Sequence, residues 1–251
     1  VFDSHKKKIQ IGWSPYLSDV RDSTWLDLIT DKPEKVLPWK ITDGSINHCP
    51  AYKNFYENVF AIKMPFTLAI SKDETNNKLD VVSTPNLTIE PLRRMVSFEK
   101  DDSGWNCQVC LSNLFISDTP DVTIEVLPPI LHGLREEIIY LNGRFDIYSW
   151  QRPLQFSFRI PNKTFENMSC SNGIVFQKDD VVFYVRINIP NGAKVELCQF
   201  DDEDLKKVSD YVKRNTLVTS HVKGFDFKEI LNRVFRRRPK RFLTNKDYGN
   251  V

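Results

Sequence analysis

The stretch Arg94-Met-Val-Ser-Phe-Glu-Lys100, Asp101-Asp102-Ser103-Gly104, Trp105-Asn-Cys-Gln-Val-Cys-Leu111 decides the reading of the chain. Two runs rich in β-forming residues flank four turn-forming ones, the pattern of an antiparallel hairpin. In its second arm Trp105, Cys107, Val109 and Leu111 alternate with Asn106, Gln108 and Cys110. Successive side chains of a strand point to opposite faces, so the first set is expected in a core and Gln108 outside.

The same rhythm extends on both sides. Phe66–Ser71 and Leu79–Ser83 flank the polar turn Lys72–Lys78, and Val122–Leu127 alternates until Pro128-Pro129 stops it. Leu154, Phe156, Phe158 and Ile160 alternate with Gln155, Ser157 and Arg159. Val181, Phe183, Val185, Ile187 and Ile189 form one face of a further strand, with Tyr184, Arg186 and Asn188 on the other. Pro190-Asn191-Gly192 turns that strand into Lys194–Phe200. The expected fold is a β-dominated α+β fold: an antiparallel β-sandwich or jelly-roll-like core, a short helix near residue 50 and two C-terminal helices.

Three segments follow. Residues 1–60 read as an irregular arm rich in aromatics and proline, residues 61–200 as the antiparallel core, and residues 201–251 as a helical segment with a basic tail, all in one compact domain. Within the arm, Pro50 can open a helix to about Asn58, with Ala51, Phe55 and Val59 at four-residue spacing. In the last segment Asp201-Asp202-Glu203-Asp204 crowds carboxylates where a helix dipole favours them. After Gly224, residues Phe227, Ile230, Leu231, Val234 and Phe235 form a helical stripe that Pro239 ends.

Composition narrows the function classes. The 251 residues carry 35 Lys and Arg against 33 Asp and Glu, a net charge of +2, which argues against a nucleic-acid binder that works by overall charge. No apolar run is long enough for a membrane helix, and the basic, polar start Val1–Gln10 lacks the apolar stretch of a secretory signal. Five scattered cysteines, Cys49, Cys107, Cys110, Cys170 and Cys198, read as reduced thiols rather than a disulfide framework.

The familiar catalytic patterns fail on spacing. Cys107-Gln-Val-Cys110 lies in a strand, where residues three apart face opposite ways, and no second C-x-x-C exists to complete a zinc site. The four histidines, His5, His48, His132 and His221, show no H-x-D, H-E-x-x-H or H-x-H spacing. G-x-G-x-x-G, the Walker loop and G-x-S-x-G are all absent. Asp146 and Arg152 read as an ion pair at a strand bend or as a carboxylate-binding pair. No cofactor and no metal are expected.

The strongest local signal is the basic cluster Arg233, Arg236, Arg237, Arg238, Lys240 and Arg241, with Phe235 and Phe242 interleaved. It suits an acidic protein surface, a phosphate backbone, or simply a solvated helix end. The arm adds Trp13, Tyr16, Trp25 and Trp39 as candidate contacts.

Three stretches, Ile11-Gly-Trp-Ser-Pro15, His48-Cys-Pro-Ala-Tyr-Lys-Asn-Phe-Tyr-Glu-Asn-Val-Phe-Ala-Ile-Lys-Met-Pro-Phe66 and Gly143-Arg-Phe-Asp-Ile-Tyr-Ser-Trp-Gln-Arg-Pro153, resemble uncharacterised proteins of large tailed phages of marine bacteria and cyanobacteria. The resemblance implies a phage origin and, with it, a place in the cytoplasm of the infected cell or in the virion. It brings no activity, cofactor or site residue.

The expected function is therefore a non-enzymatic binding or assembly protein that docks another protein, a virion or host component, through the aromatic arm and the basic helix. One alternative is a cupin-like metal-dependent enzyme with ligands from His132, Glu136, His48 or the cysteines. A second is an accessory protein that binds nucleic acid through the tail. No membrane contact is expected.

Overall fold

The computed structural model describes residues 8–15, 31–38, 48–82, 84, 89–117, 119–148, 153–189 and 194–199. The two C-terminal helices expected after residue 200 lie outside them, as does Arg152.

The long hairpin forms as its alternation requires. β6 (Val96–Asp101) turns through residues 102–103 into β7 (Gly104–Ile116). Asp101 closes the turn: its Oδ1 accepts from the Ser103 N–H at 2.8 Å and the Gly104 N–H at 3.1 Å. Gly104 sits at φ 154°, and a Cβ there would overlap the Ile160 carbonyl oxygen of the neighbouring strand, so only glycine fits. Trp105, Cys107, Val109 and Leu111 are buried while Gln108 is exposed.

β7 also pairs with β11 (Leu154–Pro161), but the register slips between Gln155, opposite Cys110, and Leu154, opposite Asn113. This bulge ends the simple alternation, and Asn113, Leu114, Phe115 and Ile116 are all buried beyond it. Here β1 (Lys8–Pro15) joins, antiparallel to β7 and parallel to β14 (Lys194–Gln199). The first sheet thus runs β14-β1-β7-β11-β9, with β6 also on β7 and β9 (Ile139–Tyr140) at the edge. Two expectations are corrected. Residues 8–15 are a strand inside the sheet and not irregular arm, and one pair of the sheet is parallel.

The second sheet runs β10-β8-β13-β3-β2, built from β10 (Gly143–Asp146), β8 (Thr123–Leu127), β13 (Val181–Asn188), β3 (Val59–Lys63) and β2 (Glu34–Lys35). A third, β12-β4-β5, comprises β12 (Ile174–Phe176), β4 (Leu68–Asp73) and β5 (Lys78–Val82). The three sheets meet in one apolar core. Phe156 of the first sheet stacks on Phe183 of the second, centroids 6.0 Å apart, and meets Phe176 of the third edge-on at 5.2 Å. Each such buried ring contributes about 1.5–3 kcal/mol by leaving water. The fold is β-dominated and sandwich-like, as the strand rhythm predicts.

The second sheet is covered on its outer face too. There Tyr184 packs with Val36, Tyr56, Val59 and Ala61. The cover includes α1 (Pro50–Phe55), which follows Cys49 with Pro50 in its first turn, as expected. Its packing face differs from the expected Ala51–Phe55–Val59 line. Tyr52 and Tyr56 meet at 5.0 Å and turn inward, while Ala51 and Phe55 are exposed. Phe55 instead lies under the Arg186 guanidinium, 4.6 Å from its ring centre. Two further short helices follow, α2 (Ile89–Met95), which packs on β5, β6 and β7, and α3 (Asn162–Glu166), which packs on β7 and β11. Phe165 of α3 packs on Trp105 at 5.4 Å.

Candidate functional site

The segment that crosses from the second sheet to the first carries the least water-compatible surface. β8 ends at Leu127, and Pro128-Pro129 leads into a single 3-10 turn, Ile130–His132. The turn is closed by Ile130 N–H to Pro128 O and His132 N–H to Pro129 O, both 2.9 Å. Gly133 follows at φ 93°, a backbone region that favours glycine, and the chain continues to β9. Two anchors hold the crossing. Leu131 packs on the outer face of the second sheet, and Ile138 enters the main core.

Between and beside the anchors, Ile130 is 58% exposed, Leu134 53%, Ile139 53% and Leu141 37%. These are four of the six large hydrophobics exposed among the described residues. Isolated surface hydrophobics are ordinary; their concentration in one segment is not.

A cleft of about 250 Å³ opens beside this segment, between Leu134, Arg135 and Tyr140 on one side and Phe176, Asp180 and Val182 on the other. Arg135 spans it. Its guanidinium lies 4.7 Å over the Phe176 ring and donates to Asp180 Oδ2 at 3.0 Å. The same carboxylate oxygen accepts from the Gln177 N–H at 2.8 Å. The cleft wall is therefore mixed and more polar than apolar, with Leu134 as its exposed apolar side chain and one internal ion pair. Burial, partly offset by a hydrogen bond from the Arg135 backbone, raises the pKa of the Tyr140 hydroxyl at its rim.

His132 has a structural partner. Its Nδ1 lies 2.6 Å from the Tyr184 hydroxyl, which also accepts from the Leu131 N–H at 3.1 Å. Burial, followed by the nearby Lys63 charge, lowers the His132 pKa, against an opposing pull from Glu34.

The remaining candidates separate. Cys107 is fully buried and its thiol is pushed up to about 12 by burial, while Cys110, on the opposite face, is half-buried. His48 and Cys49 are exposed at the start of α1. No three of the described His, Cys, Asp and Glu side chains stand together at metal-binding distance. Asp146 Oδ1 caps the Tyr148 N–H at 2.8 Å.

Trp13 is corrected from contact residue to core residue. It is 2% exposed, and its indole N–H donates to Asn113 Oδ1 at 3.1 Å. Tyr16, Trp25, Trp39 and the basic cluster Arg233, Arg236, Arg237, Arg238, Lys240 and Arg241 lie outside the described residues. The apolar segment 130–141 was not among the expected contacts. Its only sequence signal is Ile-Leu-His-Gly-Leu, an apolar run after a strand has already been stopped by two prolines.

No family model, curated protein or solved structure matches the chain. No helix of the described residues is long and apolar enough to cross a membrane.

Proposed function

We propose that this is a non-enzymatic binding or assembly protein, phage-encoded, that docks another protein in the infected cell or in the virion. One observation carries the reading: Ile130, Leu134, Ile139 and Leu141 are all exposed on one anchored crossing segment, which also borders a cleft. Interfaces that form between separately folded proteins are centred on such apolar patches, with polar rims. Glu136 and Glu137, exposed on the same segment, supply an acidic rim. This surface replaces Trp13 in the docking account, and the basic tail is a second, separate contact.

The test is association measured with Leu134→Lys. Leu134 is exposed, so the variant keeps the fold and its thermal midpoint. Retention of a specific partner by the native chain, and its loss in Leu134→Lys, is the expected result. Equal retention by both would remove the segment from the account.

A further inference from the structure

The edge of the first sheet lies within this surface, and its hydrogen-bonding groups are directed outward. β9 is the last strand of the sheet path. The Leu141 N–H donates to the Ser157 carbonyl at 3.1 Å, and Tyr140 stands opposite Phe158. In an antiparallel ladder, residues that exchange hydrogen bonds with the partner strand alternate with residues that face away from it. Leu141 bonds inward to β11, so the N–H and C=O of Tyr140 point away from β11, along an edge where no described strand pairs.

The side chains around that edge are sorted by face. Tyr140 turns toward the core, its ring 6.1 Å from Phe156, and forms part of the cleft. Ile139 and Leu141 lie on the opposite face, exposed. Natural edge strands are usually blunted by charge, by proline or by cover. This one is blunted only by its length of two residues, and it presents the exposed side chains of Ile139 and, just beyond it, Leu141.

We propose that β9 is extended by an extended segment of a partner protein, added as an antiparallel strand on the edge where no described strand pairs. The inference rests on the docking reading above and deepens it. Strand alternation sets the partner's chemistry. The residue opposite Tyr140 places its side chain at the cleft, where Leu134 is the exposed apolar contact, so it is aliphatic. Its two neighbours lie over Ile139 and Leu141, so they are apolar as well. Arg135 is already neutralised by Asp180, whereas no ion pair is formed by Glu136 or Glu137 among the described residues. The flank of the segment is therefore cationic. The occupant is a three-residue apolar core bordered by Lys or Arg.

The probe is the peptide Lys-Thr-Val-Leu-Val-Thr-Lys, labelled and titrated with the full chain by fluorescence anisotropy. Saturable binding is expected. N-methylation of the central Leu removes the donor that faces Tyr140 and weakens binding by about ten-fold or more, the equivalent of one good hydrogen bond. N-methylation of a flanking Val, whose N–H faces solvent, has a smaller effect. Ile139→Lys places a charge on the edge and abolishes binding while the circular dichroism spectrum is retained. No saturable binding up to about 1 mM, or equal effects of the two N-methyl peptides, would overturn the proposal. Self-association of the chain that is lost in Ile139→Lys and displaced by the peptide would assign the edge to a second copy, and would overturn the proposed occupant. Failure of the peptide with continued sensitivity of partner association to Leu134→Lys would remove strand addition alone and leave the docking reading standing.

Discussion

The hydroxyl of Tyr184, 1% exposed beneath the outer cover of the second sheet, is hydrogen-bonded to Nδ1 of His132 at 2.6 Å and accepts from the Leu131 N–H. One buried oxygen thus pins the turn from which the apolar segment departs. Tyr184→Phe strands the Leu131 N–H and is expected to cost about 1–3 kcal/mol. Urea titration reads the cost. Amide exchange reads its place, with faster exchange at Leu131 and His132 before the rest of the sheet.

The burial of His132 sets a pH dependence. The folded pKa of His132 is lowered from 6.5 by burial first and by Lys63 second. The unfolded chain then binds more protons than the folded one as the pH falls below 6.5. Stability from this residue is complete above that value and declines as the pH falls through the lowered folded pKa. Thermal midpoints between neutral pH and mildly acid pH show the decline in the native chain, and His132→Gln removes it.

Asp101 predicts a second, more acidic transition. Its carboxylate accepts from Ser103, Gly104, Asn106 and Arg159, with the Arg159 Nη2 at 2.6 Å. Hydrogen bonds from Ser103 are the main cause that lowers its pKa to about 2, from 3.8. This contribution is present above 3.8 and is lost as the pH falls through about 2. Asp101→Asn lowers the midpoint at neutral pH and flattens its acid limb.

Trp13 behaves as a core residue. Trp13→Ala is expected to cost about 3–5 kcal/mol, as for other large-to-small core changes. Trp13→Phe keeps most of the packing but leaves Asn113 Oδ1 without the indole donor, at about 1–3 kcal/mol. A contact residue would instead lose partner affinity with the midpoint unchanged.

Thiol labelling separates the described cysteines. Cys49 and Cys170 are exposed and react first with a thiol reagent. Cys107, with its pKa near 12, reacts only on unfolding. Fast labelling of Cys107 in the native chain would contradict the inward face of β7.

The strands with internal alternation were legible in the sequence. Trp105 to Leu111 and Leu154 to Ile160 bury one face and expose the other, so period two shows directly. β1 was not legible, although Ile9, Ile11 and Trp13 do alternate. Its partners, β7 and β14, are remote in sequence, and Pro15 at its end reads as a break. By alternation Tyr184 shares a strand face with Arg186 and Asn188, a pattern that does not show whether that face is covered. Both faces of its sheet are covered, so Phe183 and Tyr184 are both buried. The helix face was misread for a related reason. Tyr52 and Tyr56 reach further into the outer layer than Ala51 and Phe55, and the sequence does not state which sheet face needs filling. The exposed segment 130–141 was invisible because exposure of Leu134 and Ile139 depends on what the crossing leaves uncovered, not on local pattern.

The docking account is tested most directly by photo-cross-linking from position 134 in cells that express the chain, with a photoreactive leucine analogue in place of Leu134. The account predicts one dominant cross-linked protein, suppressed when Ile139→Lys is added and absent when the same group is placed at the exposed Glu166. Cross-links of equal yield and identity from positions 134 and 166, or a cross-link at 134 that is indifferent to Ile139→Lys, would contradict it.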